Sequence, residues 1–378
     1  MIRGLRVHLT GSAAESCDGA LLATAHLFVR SLVEEVVTDR GGLVVGAGGE
    51  PRSDSGQPCI FDWTGLGVVA EAPDPAPEWR ALRPERFVAV ASQRGLEKVP
   101  DDRAEIWERC RNRSDFELDV APPGWRMAGI IRQRQVLRGD ILVALGGGAG
   151  AEHLAELYRD DGKPVIPIYA ELGALNNDGN GGSRFLHERA LADPDAFFRL
   201  RDGAGSAAGR LSSLRLRADA DAAALTKEVV QVLADLRPPS AFYVRLLATD
   251  HPDYPEVERF FRDVVDAVAE ERGFTPREMG RGHPEWAFMN VEIFEALHRA
   301  GVVVVDLTGV RPNCMMELGY ALARRRRVVI GAKKGTTLPF DEDKLPTYFW
   351  EAARAREDRI RAYRDWFDRY SELPSIVE

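Results

Sequence analysis

One pattern repeats along this chain: a short apolar run, a glycine-rich or acidic loop, then apolar residues at helical spacing. Leu5–Leu9 runs into Thr10-Gly-Ser-Ala13, and Leu21, Ala25, Phe28, Leu32 and Val36 then recur every three or four residues. Leu43–Val45 closes on Gly46-Ala-Gly-Gly49, and Phe87–Val90 is a third run. Ile141–Leu145 closes on Gly146-Gly-Gly-Ala-Gly150, with a helix expected over about Glu152–Tyr158 and a strand at Val165–Ile168. Short continuous apolar runs fit strands buried on both faces. Alternation with helices makes such strands parallel and layers helices over both faces of the sheet.

The same punctuation sets the domains. Leu225, Val229, Val232, Leu233 and Leu236 mark a helix that stops at Pro238-Pro239, so one domain is expected over 1–237 and a second over 240–378. The second opens with a strand at Ala241–Leu247, followed by an amphipathic helix carrying Val257, Phe260, Phe261, Val264, Val265 and Val268. Val291, Phe294 and Leu297 carry another helix, Val302–Val305 is a strand, and Val328–Gly331 reads as the last one. The charged, aromatic tail from about Tyr348 to Tyr370 reads as a helix packed on the sheet.

The totals narrow the function classes. A length of 378 residues suits two domains, and a net charge of −9 argues against a nucleic-acid backbone as partner. Cys17, Cys59, Cys110 and Cys314 are too scattered for a metal-ligand pair or a disulfide framework, and no His/Cys cluster is present, so no metal is expected. No apolar run reaches the length of a membrane span and no signal peptide is evident, which points to a cytoplasmic protein.

The chemistry concentrates in Val302-Val-Val-Val-Asp306-Leu-Thr-Gly-Val-Arg-Pro-Asn313-Cys-Met-Met-Glu317. Ligands of open α/β sheets bind outside the carboxyl ends of strands, so Asp306 and Glu317 should face one crevice. Paired carboxylates beside a sugar are equipment for breaking a glycosidic bond. Asp306-Leu-Thr-Gly-x-x-Pro-Asn-x-x-x-Glu317-Leu-Gly-x-Ala resembles the nucleoside 2-deoxyribosyltransferase family and its TIR-like relatives, which cleave nucleosides or NAD. The resemblance covers about the last third of the chain and departs at Arg311 and Met316. It implies a flavodoxin-like or TIR-like fold, Glu317 as nucleophile, and Asp306 orienting the ribose hydroxyls. Asn313 would hold the loop, while Asn290, Arg245 and Tyr254 are further candidates for substrate contact, as N-terminal helix residue, phosphate partner and base-stacking ring respectively.

The glycine loops raise a second possibility. Glycines let backbone amides approach a phosphate at a helix N-terminus. Gly11-Ser12, Gly48-Gly49 and Gly147-Gly148-x-Gly150 each follow a strand, so three loops are expected to converge on one nucleotide-signal site. Thr10-Gly-Ser-Ala, Gly46-Ala-Gly-Gly-Glu-Pro, Phe61-Asp-Trp-Thr, Gly139-Asp-Ile-Leu-Val-Ala-Leu-Gly-Gly-Gly-Ala-Gly and Val165-Ile-Pro-Ile together resemble the Rossmann-like SLOG superfamily. The branch it resembles is attached to sirtuin or TIR effectors in bacterial antiphage defence, where it senses a cyclic ADP-ribose-type signal. Enzymatic SLOG members carry Pro-Gly-Gly-x-Gly-Thr-x-x-Glu. Here Ala151 and Leu154 stand at the Thr and Glu positions, and Arg132 is an approximate match for their preceding-helix arginine.

The expectation is therefore an oligomeric, signal-regulated N-glycosidic hydrolase with NAD as substrate, an ADP-ribose compound as its partner, and no cofactor. A salvage nucleoside 2-deoxyribosyltransferase or hydrolase, and a non-enzymatic nucleotide sensor, are the alternatives.

Overall fold

The computed structural model describes residues 5–39, 41–73, 86–124, 127–175, 182–236, 240–278, 293–294, 296–298, 300–324, 326–339 and 345–371. The chain divides into two compact units, Met1–Arg237 and Pro238–Glu378. Each is a parallel sheet with helices, the α/β class expected.

The N-terminal unit holds β1 (Arg6–Thr10), β2 (Gly42–Gly46), β3 (Phe87–Ser92), β4 (Phe116–Ala121), β5 (Ile141–Leu145) and β6 (Val165–Ile168). Their spatial order is β4-β3-β2-β1-β5-β6, all parallel. Between them run α1 (Gly19–Thr38), α2 (Asp62–Glu71), α3 (Ala104–Arg111), α4 (Met127–Arg138) and α5 (Ala149–Asp160). After β6 come α6 (Ser183–Ala192), α7 (Ala207–Ser213) and α8 (Ala222–Asp235). Helix α1 starts where Asp18 accepts the Leu21 amide at 2.8 Å, and it buries Leu22, Ala25, Phe28, Val29, Leu32 and Val36 on one stripe. The chain builds outward from β1 to β4, then returns to place β5 on the other side of β1. That reversal opens a crevice at the carboxyl ends of β1 and β5.

The C-terminal unit holds β7 (Ser240–Val244), β8 (Thr275–Glu278), β9 (Val302–Asp306), β10 (Val328–Lys333) and β11 (Thr347–Trp350), in the order β11-β10-β9-β7-β8. This parallel arrangement is the flavodoxin-like order, with its switch point between β7 and β9. Helix α9 (Tyr254–Phe260) passes through a π-helical turn, Phe261–Val265, into α10 (Asp266–Glu271); α11 (Pro312–Ala323) follows β9 and α12 (Arg356–Tyr370) closes the unit. The strand residues alternate between two cores. Tyr243, Val302, Val304 and Trp350 pack with Phe260, Tyr363 and Phe367, whereas Phe242, Val303, Val305 and Ile330 pack with Leu318 and Ala321. Both faces of β9 are thus buried, which is why its sequence is an unbroken run of valine.

Two readings need correction. Val328–Lys333 is not the last strand, because Thr347–Trp350 pairs with it in parallel before the tail helix begins at Arg356. Strands β4 and β8 were also missed. All three lie at sheet edges, where one side of the ladder is open and polar residues are tolerated.

Candidate functional site

Each unit places expected site residues at its own switch point. In the N-terminal unit, β1 turns at Gly11 with φ 144°, where a Cβ would collide with the Leu145 carbonyl oxygen. Only glycine lets the β1 loop pass this close to β5. The Gly147 amide, in a residue with φ 79°, donates to the Ser12 carbonyl at 2.7 Å and ties the two loops together. Helix α5 then begins with Gly148 as N-cap and no side-chain cap, leaving its first amides and its positive dipole end open.

These loops bound a cavity of about 240 Å³. Thr10, Gly11 and Ser12 form one wall; Gly147, Gly148 and Gly150 form another; Arg132 and Gln135 project from α4; Ile60, Leu154, Ala174 and Leu175 supply apolar surface. Among the described residues Arg132 is the one cation in this lining, and none of them brings a carboxylate to it. Its Nη1 lies 3.1 Å from His153 Nδ1, and a Cβ on Gly150 would sit 3.0 Å from its Nη2. A guanidinium beside an uncapped helix start is an anion-binding arrangement. Leu154 lines the cavity with a side chain that has no acid–base chemistry, and Glu152 is engaged elsewhere, accepting the Gly182 amide at 2.7 Å.

The third expected loop does not join this cavity. Gly48 packs toward Gly95 and accepts the Trp63 indole N–H at 3.0 Å, while Gly49 faces Lys98. The short helix after β3 takes up the β2 loop, so Gly11-Ser12 and Gly147-Gly148-Gly150 converge without Gly48-Gly49.

In the C-terminal unit, Asp306 ends β9 and is 1% exposed. Its Oδ1 accepts the Thr308 amide at 3.0 Å and its Oδ2 accepts the Trp350 indole N–H at 2.7 Å. Burial pushes its carboxyl up to about 6, against these two donors. Both oxygens are engaged by the protein, so Asp306 fixes the turn into α11 and links β9 to the end of β11. The turn is pinned again where Thr308 Oγ1 accepts the Lys333 amide at 2.8 Å.

Glu317 lies one and a half turns into α11, half-buried between exposed Met316 and buried Leu318. It has no hydrogen bond or ion pair among the described residues. Desolvation alone pushes its carboxyl up to about 7. Burial, and then the neighbouring Glu317 and Asp306 carboxylates, push the Cys314 thiol up to about 12, which places both acids near one buried thiol and leaves that thiol unreactive. The structure thus brings Asp306 and Glu317 to one switch point in different settings: one carboxylate held by two donors, the other without a donor among the described residues.

Three other expected contacts stand differently. Arg245 is buried and engaged by the protein itself, with Nη2 2.8 Å from Glu258 and Nε 2.7 Å from Glu278, so it is committed to the core rather than to a phosphate. Asn313 does not cap α11: Pro312 sets the first helical turn, Arg311 is the N-cap, and Asn313 is exposed in that turn. Tyr254 packs partly buried against the aromatic core at the start of α9. Asn290 lies outside the described residues. Thr308, two residues past Asp306, and Trp350 were missed; the Trp350 contact spans 44 residues and leaves no local signal.

Among the described residues, no group of three His, Cys, Asp or Glu side chains could hold a metal, and no helix is long and apolar enough to cross a membrane.

Comparison with known proteins adds a family. The model described as ATP nucleosidase Cap17-like, N-terminal, matches residues 2–236. Two curated relatives, each named ATP nucleosidase Cap17, come from Escherichia coli strain KTE188 and from Escherichia coli. Each is 28% identical over 192 residues, covering 51% of this chain and 37% of the relative. The match therefore spans little more than a third of those proteins.

Proposed function

From the premise that this chain belongs to the ATP nucleosidase Cap17-like N-terminal family, we propose that it is a nucleotide-regulated N-glycosidase. In this reading the N-terminal unit binds a nucleotide-derived signal and the C-terminal unit breaks the glycosidic bond. The family match covers the unit whose switch-point cavity has no carboxylate in its lining among the described residues. A pocket with amides, a guanidinium and apolar walls suits holding a phosphorylated ligand, and Leu154 in its wall offers hydrolysis no acid. An ADP-ribose compound meets those requirements, with a phosphate at Arg132 and the α5 start.

One observation carries the catalytic half: Glu317 is a half-buried carboxylate without a partner among the described residues, raised to about 7 at a switch point. It would attack or stabilise the ribose anomeric carbon as the base departs. Asp306 acts through the loop it holds, and not through ribose hydroxyls. NAD is the favoured substrate, since nicotinamide leaves from a cationic pyridinium without a strong acid. ATP is the second reading, favoured by the name of the relatives. The resemblance to defence-associated SLOG and TIR-like domains supports a role in antiphage defence, working as a homo-oligomer.

Chromatography of purified protein incubated with NAD, ATP and nucleosides, each with and without ADP-ribose compounds, tests the proposal. Base release that increases with the added signal and disappears in Glu317→Gln is the expected result. Wild-type turnover in Glu317→Gln would refute the catalytic assignment.

A further inference from the structure

Besides Glu317, a second polar group at the C-terminal switch point has no hydrogen-bond partner among the described residues: Nε2 of His251. His251 sits in the loop leaving β7, the strand beside β9. Its ring lies against the β9–α11 loop, where a Cβ on Gly309 would be 3.0 Å from Nε2. Its Nδ1 accepts the Asp253 amide at 3.2 Å, so that nitrogen carries no proton and the ring hydrogen resides on Nε2. The side chain is 25% exposed, within reach of a bound molecule. An N–H donor on the loop leaving β7 and the Glu317 carboxylate on α11 thus belong to the two segments that leave the strands flanking one crevice.

We propose that His251 holds the departing base, and that this donor equips the site to release a purine, which departs as an anion, as well as nicotinamide, which departs neutral. The inference rests on the glycosidase reading above. Nicotinamide regains its ring-nitrogen pair as the bond breaks and leaves neutral. A purine leaves N9 with the bonding pair as an anion, and its charge spreads onto N3 and N7. The Nε2–H of His251 donates to one of those nitrogens as C1′–N9 breaks and a Glu317 oxygen bonds to C1′. Water then gives a proton to the purine, and the hydroxide formed attacks C1′ and frees the Glu317 carboxylate. The net change is one nucleotide and one water converted to free purine and the ribose phosphate.

The test measures kcat/KM for adenine release from ATP and nicotinamide release from NAD, using the full chain with ADP-ribose present. His251→Phe keeps a ring against Gly309 and removes the donor; His251→Gln restores an N–H. The expected result is that Phe lowers the adenine-to-nicotinamide ratio by about a hundredfold or more, the usual effect of losing one donor at a developing anion, and that Gln recovers part of it. An unchanged ratio, equal losses on both substrates, or a wild type that releases nicotinamide and never adenine overturns the inference. Glu317→Gln separates the two claims. If it keeps base release, the glycosidase reading fails and this inference with it. If it loses base release while His251→Phe leaves the ratio unchanged, only the role of His251 falls. A wild type that releases neither base overturns both.

Discussion

Glu317→Gln should remove activity and at the same time stabilise the protein above neutral pH. The wild-type carboxyl is raised from 4.5 to about 7 by desolvation. Between those values the folded state holds a proton that the unfolded state releases. Wild-type stability therefore falls as pH rises from about 4.5 to about 7, and stays at the lower level above that. At about 1.4 kcal/mol for each tenfold change in proton affinity, the rise from 4.5 to about 7 corresponds to about 3.5 kcal/mol for a fully buried group. Glu317 is only half-buried, and solvent screening reduces this to about 1–2 kcal/mol. Glutamine has no charge to desolvate, so the variant should exceed wild type by that amount at pH 8 and match it near pH 4.5. For a unit of this size the difference is on the order of 5 °C in Tm. Thermal melts of both proteins at the two pH values read the stability, and chromatographic base release reads the activity, expected to fall at least about a thousandfold, or about 4 kcal/mol. The Asp306 carboxyl, raised to about 6, titrates in both proteins and cancels to first order. Equal pH dependence of the two melting curves would refute the claim that Glu317 is held in a desolvating site.

The remaining predictions address the supports of the two sites. Trp350→Phe keeps the stack on Phe260 but leaves one buried Asp306 oxygen without its donor, which should cost about 1–3 kcal/mol, more at pH 8 than at pH 5, in denaturant titrations. Asp306→Asn turns an amide NH2 toward either the Trp350 or the Thr308 N–H, so a lowered Tm should accompany a smaller loss of base release than Glu317→Gln causes; an undiminished Tm would contradict its structural role. Arg132→Gln should weaken ADP-ribose binding by roughly 10- to 100-fold in calorimetry, the loss of a charge-assisted contact, with the Glu317-dependent chemistry retained at saturating ligand. Gly147→Asp should abolish that binding, though φ 79° makes the side chain itself a strain, so Arg132→Gln isolates the charge more cleanly.

What the sequence determined by itself was the interior of each sheet. Val302–Asp306 and Ile141–Leu145 are legible because both faces of those strands are buried, and burial on both faces requires unbroken apolar runs. The same runs identify the switch-point loops, since each strand must turn at its carboxyl end, and so Asp306 and the Gly11 and Gly147 loops could be placed from the chain alone, while Glu317 stood out only through the motif that resembles the deoxyribosyltransferase family. Tertiary structure decided the rest. Edge strands β4, β8 and β11 have one open side and mixed composition, so pairing rather than pattern defines them. The commitment of Arg245 to Glu258 and Glu278, the indole donor that Trp350 supplies to Asp306, and the placing of Gly48 and Gly49 against the segment after β3 all join residues distant in sequence. Such partnerships arise from packing distances, which local composition does not encode. They also separate the two acids: the Thr308 amide and the distant Trp350 indole hold Asp306, while Glu317 has no partner among the described residues and is raised to about 7 by desolvation.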